Sequence, residues 1–139
     1  MNESIIVEAL IQAPLEKVWH DYTDPRAIMA WNAASDDWHT TKVENDVRTG
    51  GAFMSRMEAK DGSVGFDFTG TYDEVIPQEK IAYTMTDGRN AVITFAPVDG
   101  AVKVVVTFDP ETENPHDMQR AGWQAILDSF KKYCEEHAA

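Results

Sequence analysis

The sequence predicts an α+β fold: a curved antiparallel sheet of six to seven strands around one long C-terminal helix, with two short helices after the first strand. Three observations carry this reading. Residues 36–109 alternate apolar and polar positions between short polar turns. The C-terminal stretch holds one apolar stripe at helical spacing, and two proline-marked helix starts follow directly on a β-branched strand. At 139 residues the chain is expected to form one domain, 1–139. A chain of this size buries roughly 68–70% of its unfolded surface, enough for a core without staples.

Each element has its own justification. Ile5-Ile6-Val7-Glu8-Ala9-Leu10-Ile11 is rich in β-branched residues and reads as a strand. At Ala13-Pro14 the period changes. Pro14 suits a first helical position, and Leu15, Val18, Trp19 and Tyr22 then follow at i, i+3, i+4 and i+7. Asp24 is the expected N-cap of a second short helix, with Pro25 at its first position and Trp31 near its end. Glu44-Asn45-Asp46, Lys60-Asp61-Gly62-Ser63, Pro77-Gln78-Glu79, Asp87-Gly88-Arg89-Asn90 and Asp99-Gly100 punctuate the strands. Asp99-Gly100 has the chemistry of a two-residue hairpin turn.

Between these turns the faces separate. Phe66, Phe68, Gly70 and Tyr72 share one side of a strand, and Asp67, Thr69, Thr71 and Asp73 the other. Ile81, Tyr83 and Met85 oppose Lys80, Ala82, Thr84 and Thr86 in the same way. Gly50, Gly51, Gly65 and Gly70 permit bends or bulges in the sheet. In the last segment Asn114 is the expected cap, Pro115 the first helical residue and Asp117 a first-turn acid. Trp123, Ile126, Leu127, Phe130, Tyr133 and Cys134 then mark one apolar stripe. A one-sided sheet has to cover its apolar face, and this helix is the one element large enough to do so. A curved sheet around a single helix leaves space between them.

Composition narrows the function classes. The formal charge is −12, from 24 acidic and 12 basic residues, which argues against non-specific binding to nucleic acid or anionic membrane surfaces. Cys134 is the single cysteine, so an intramolecular disulfide and a thiolate metal site are both out of reach. Met1-Asn2-Glu3-Ser4 lacks the basic start of a secretory signal, and no run approaches the roughly 18 apolar residues of a membrane span. A cytoplasmic location is the expectation.

Little in the sequence points to catalysis. Asp37 and His39 would face the same way on a strand, but a lone pair lacks the three or four ligands of a zinc site. A polar surface pair at a strand start explains them as well. Asp117 beside His116 has a capping explanation. Cys134 and His137 lie three apart on a helix near the chain end, where packing explains one and solvent the other. Phosphate loops, nucleophile elbows and dinucleotide fingerprints are missing, and neither metal nor cofactor is expected.

The aromatic residues are the remaining lead. Trp31, Asn32, Phe53, Met57, Phe66, Phe68, Tyr72, Tyr83, Met85, Phe95, Trp123 and Phe130 are the candidate lining of a ligand site between sheet and helix. Gly122, inside the helix beside Trp123, removes a side chain near the sheet at a cost of about 1 kcal/mol in helix propensity. Met and Tyr suit adaptable apolar sites with a polar handle.

The stretch Ile11-Gln12-Ala13-Pro14-Leu15-Glu16-Lys17-Val18-Trp19 resembles the Ala-Pro-x-x-x-Val-Trp signature of the START-like, helix-grip superfamily (SRPBCC). Trp31, Asp46-Val47-Arg48-Thr49-Gly50-Gly51-Ala52-Phe53, Gly70-Thr71-Tyr72-Asp73-Glu74-Val75 and Gly122-Trp123 resemble its branch named for activators of the 90-kDa heat-shock chaperone ATPase. Nearly the whole chain takes part in this ordered set. The resemblance implies a curved sheet wrapped around the C-terminal helix, with a cavity that takes lipids, sterols, polyketides or other apolar molecules. The leading expectation is therefore binding of a small hydrophobic or aromatic molecule. An enzyme of cyclase or aromatase type, with His39 or Asp37 moving a proton, is the alternative within the superfamily. A stress-related, co-chaperone-like interaction module is the third reading, and a homodimer is left open.

Overall fold

The computed structural model describes residues 4–33 and 35–136. His137 and Ala34 lie outside the described residues, and with them the Cys134–His137 pair and one position of the 31–39 segment. The chain runs β1 (Ile5–Ile11), α1 (Leu15–Thr23), α2 (Pro25–Trp31), β2 (Trp38–Asn45), β3 (Ala52–Ala59), β4 (Gly65–Ile76), β5 (Lys80–Met85), β6 (Asn90–Val98), β7 (Ala101–Phe108) and α3 (His116–Glu136). The seven strands form one curved antiparallel sheet in the order β1-β7-β6-β5-β4-β3-β2. The expected α+β architecture is the observed one.

Local chemistry explains most element boundaries. The Asp24 side chain accepts from the Ala27 amide at 3.2 Å, and Pro25 opens α2. Pro14 and Pro115 each stand one residue ahead of the helix they introduce, in place of being its first residue. Pro14 is the extended N-cap of α1 (ψ 150°), and the Pro115 carbonyl accepts from the Met118 and Gln119 amides at 3.1 and 3.2 Å. Asn114 spends its side-chain amide on Glu111 at 3.1 Å instead of capping. The buried Gln119 ties down this approach to α3 by donating to the Glu111 and Asn114 carbonyls at 3.1 and 2.8 Å. Asp99 (φ 49°) and Gly100 (φ 83°) both take left-handed conformations, as a primed hairpin turn requires.

Two irregularities shape the sheet. Pairing shifts between Thr40 and Lys42 on β2 and between Tyr72 and Glu74 on β4. The second shift moves the inward face of β4 from even to odd positions, so that Val75 now lies across from Ile81 and packs on the core. Near it, Gly70 makes room for a ring: a Cβ there would fall 2.6 Å from Phe53 and from the Thr84 carbonyl.

α3 covers the concave face and also seals an edge. Phe130 and Cys134 are wholly buried and Leu127 is nearly so. The Trp123 ring stacks on Phe108 at 3.9 Å and 9°. Three α3 side chains take up outward backbone groups of β1 and of Gln12 just after it, along what would otherwise be a free edge. Gln124 donates to the Glu8 carbonyl at 3.0 Å, Lys131 to the Leu10 carbonyl at 2.8 Å, and Glu135 accepts from the Gln12 amide at 2.9 Å. α3 does not work alone. α1 and α2 contribute Val18, Ala27, Ile28 and Trp31 to the core, with Trp19 and Tyr22 against Phe95. Gly122 does not mark a close approach to the sheet, since a Cβ there would meet nothing within 4 Å. No helix among the described residues is long and apolar enough to cross a membrane.

Candidate functional site

A cavity of about 320 Å³ opens between the β2–β5 side of the sheet and the helices α2 and α3. Strand alternation builds its floor. Phe53, Ser55 and Met57 point inward from β3, Phe66, Phe68 and Tyr72 from β4, and Ile81 and Tyr83 from β5. Trp31 and Asn32 line it from the end of α2, and Trp123, Ile126 and Leu127 from one face of α3. Phe53 is the hub of the aromatic wall: its ring lies 5.5 Å from Phe68, 5.2 Å from Tyr72 and 4.9 Å from Tyr83. Phe66, 48% exposed and 5.9 Å from the Trp38 ring, stands at the rim.

Nine of the twelve residues expected from the sequence line this space: Trp31, Asn32, Phe53, Met57, Phe66, Phe68, Tyr72, Tyr83 and Trp123. Met85, Phe95 and Phe130 do not. They are buried in packed core, where Phe95 meets Trp19 and Tyr22 at 5.2 and 5.5 Å and Phe130 meets Tyr22 and Trp31 at 5.1 and 4.9 Å. Asp37 and His39 are both exposed, and neither lines the cavity. Sequence reasoning missed Tyr22, Val43, Asn45, Ser55 and Arg89. Ser55 had a signal, because its alternation with Phe53 and Met57 puts it on the same face.

The polar groups of the cavity fall into two kinds. Some are committed to each other. The Tyr72 hydroxyl donates to Asn45 Oδ1, and Asn45 Nδ2 donates to the Thr23 carbonyl at 2.8 Å, which ties the end of α1 to β2 and β4. Arg89 holds Asp87 through Nε at 2.7 Å. Desolvation is the largest single influence and pushes the Asp87 carboxyl up, but the hydrogen bonds from the Arg89 amide and side chain together outweigh it and leave the group below its ordinary pKa. Others have no partner. No hydrogen bond among the described residues uses the hydroxyls of Tyr22, Ser55 or Tyr83, although Ser55 and Tyr83 are only 6% and 7% exposed. Burial pushes the phenols of Tyr22, Tyr72 and Tyr83 well above the ordinary tyrosine pKa, and repulsion between neighbouring phenolate charges adds to the effect in Tyr22 and Tyr83. All three stay protonated near neutrality; Tyr72 spends its O–H on Asn45, while Tyr22 and Tyr83 keep theirs as donors.

Elsewhere the titratable groups have structural work. Cys134 is buried, and desolvation together with the nearby Asp21 carboxylate pushes its thiol up, away from the reactive thiolate form. Asp21 is itself buried and bonded to Lys17 at 2.5 Å. Among the described residues no group of three His, Cys, Asp or Glu side chains could hold a metal ion.

A seven-stranded antiparallel sheet curved over a C-terminal helix, with an apolar cavity between them, defines a helix-grip protein. Residues 12–135 match the family model described as Activator of Hsp90 ATPase homolog 1-like protein, and the chain belongs to that family, within the SRPBCC superfamily. Solved structures agree. An AHSA1-like protein from Aeromonas hydrophila is 47% identical over 96% of this chain and 92% of its own, with a TM-score of 0.91. A protein from Cytophaga hutchinsonii is 45% identical, covering 98% and 96% of the two chains with a TM-score of 0.83. A third, from Chromobacterium violaceum, is 26% identical over 93% and 95%, also with a TM-score of 0.83. No curated protein matches the chain.

Proposed function

We propose that the protein binds a small hydrophobic or aromatic molecule in the cavity between the sheet and α3, in the cytoplasm. The observation that carries this reading is that the concave face stays hollow where the packed core ends. A volume of about 320 Å³ walled by Phe53, Met57, Phe68, Tyr83 and Trp123 falls at the lower end of ligand-site volumes, roughly 300–1,000 Å³. Each 100 Å² of apolar ligand surface buried there contributes about 2.5 kcal/mol. The single, buried thiol of Cys134 is compatible with a reducing compartment.

A thermal-shift screen of lipids, polyketides and small aromatics, followed by native mass spectrometry of the hits, tests the reading. A ligand at a hundred times its dissociation constant adds about 2.7 kcal/mol of stability. Saturable stabilisation with one molecule bound per chain is the expected result. No shift across all these classes would remove the binding reading and favour a surface-interaction role.

A further inference from the structure

Apolar walls alone would welcome any hydrocarbon, but two features of this cavity select among ligands. The first is a pair of unpartnered hydroxyls on buried residues, Tyr22 at the margin carrying a third. Ser55 and Tyr83 come from different strands, β3 and β5, and both belong to the lining. Each residue is more than nine-tenths buried. Among the described residues no fully enclosed side-chain N or O lacks a hydrogen-bond partner. Unpaired hydroxyl oxygens in such surroundings therefore open onto the cavity space itself. A hydrocarbon seated there would strip solvent from both hydroxyls and return no hydrogen bond, which is costly.

The second feature is charge. Arg89 is the single cationic residue of the lining, and its charge is offset by Asp87, which accepts from Nε at 2.7 Å. Glu44 adds a negative charge to the same wall. A carboxylate or phosphate entering this space would meet a single cation whose charge Asp87 already offsets. The net charge of −12 also repels anions from the protein as a whole.

Resting on the cavity-binding reading, we infer that the ligand is a neutral aromatic or alicyclic molecule bearing hydroxyl or carbonyl oxygens, which Ser55 and Tyr83 hydrogen-bond from inside the cavity. Fatty-acid-like anions and plain hydrocarbons are then the poorer guests. The selectivity follows from the polar pair: a site built to hydrogen-bond an oxygen discriminates strongly against the analogue that lacks it.

The test uses the full chain and three matched probes: 2-naphthol, naphthalene and 2-naphthoate, titrated at neutral pH by calorimetry. The expected order is 2-naphthol tightest, naphthalene about tenfold weaker, and naphthoate weakest. Tyr83→Phe or Ser55→Ala should remove most of the naphthol preference, weakening naphthol and strengthening naphthalene, which no longer strips solvent from that hydroxyl. Circular dichroism and thermal unfolding of each variant control for an intact fold. Equal binding of naphthol and naphthalene would overturn the inference and leave the binding reading standing. So would a preference that both variants preserve, or naphthoate binding as tightly as naphthol. If none of the three probes binds while the wider screen yields a ligand, the inference falls and the binding reading stands; if nothing in that screen binds either, both fall.

Discussion

Two clusters of aromatic residues sit side by side on the concave face, and they have opposite fates. Around Phe130 the rings of Tyr22, Trp31, Phe95 and Trp19 touch edge to face or stacked, and Phe130 and Phe95 are sealed, with Tyr22 and Trp31 at the margin where this cluster borders the cavity. Around Phe53 the rings of Phe68, Tyr72 and Tyr83 also touch one another, but their far side faces empty space. The residue types are the same. What differs is the cover: α1 and α2 fill the first region, while only one face of α3 and the end of α2 reach over the second. Whether an aromatic side chain becomes core or ligand wall is decided by the element opposite it.

Truncation should expose the contrast most strongly. Phe130→Ala removes a wholly buried ring and is expected to cost about 3–5 kcal/mol in a urea melt. Phe68→Ala, whose ring already lacks neighbours on its cavity side, should cost only about 1–2 kcal/mol. Equal costs would mean the second region is as tightly packed as the first.

Enlargement is the converse. Val104 is fully enclosed, so Val104→Phe should overpack the core and cost about 1–3 kcal/mol. Val43 lines the cavity from β2, and Val43→Phe should fold with a loss below about 1 kcal/mol while shrinking the ligand space. Thermal unfolding with probe binding distinguishes the two substitutions.

A smaller effect, opposite in sign, is expected on α3. Gly122 stands mid-helix with open space where its Cβ would lie, so Gly122→Ala should stabilise by up to about 1 kcal/mol. A loss would show that something packs on that face.

Near neutral pH the phenols are silent, and their effect is confined to alkali. Because burial raises the folded-state pKa of Tyr22, Tyr72 and Tyr83, the stability they contribute is fully present below the ordinary phenol pKa of about 10 and is lost as pH rises above it. Ultraviolet difference titration should show these phenols ionising together with base unfolding, and Tyr83→Phe should soften that alkaline loss. Early, independent ionisation of Tyr83 would indicate a water-filled rather than apolar wall.

Much of the fold was legible because local chemistry dictated it. The Asp24-Pro25 start, the Asp99-Gly100 turn and the alternation of β4 and β5 each reflect a constraint acting within a few residues. The division of the aromatic face was not legible. Alternation assigns Met85 and Phe95 to the inner side correctly, yet it carries no information on how far α1 and α2 extend across β6. Ser55 escaped notice because a small polar residue between Phe53 and Met57 looks like a break in the apolar pattern rather than part of a site. The seal on β1 by Gln124, Lys131 and Glu135 joins residues more than a hundred positions apart, and no short-range pattern encodes it.

The most direct measurement is methyl NMR of the full chain titrated with 2-naphthol. Saturable shifts, with contacts from the probe to Met57, Ile81, Ile126 and Leu127 and none to Ile5 or Val104, are the predicted result. Binding that leaves the cavity methyls untouched, or no binding of 2-naphthol or of any molecule from the ligand screen, would contradict a hollow site on the concave face.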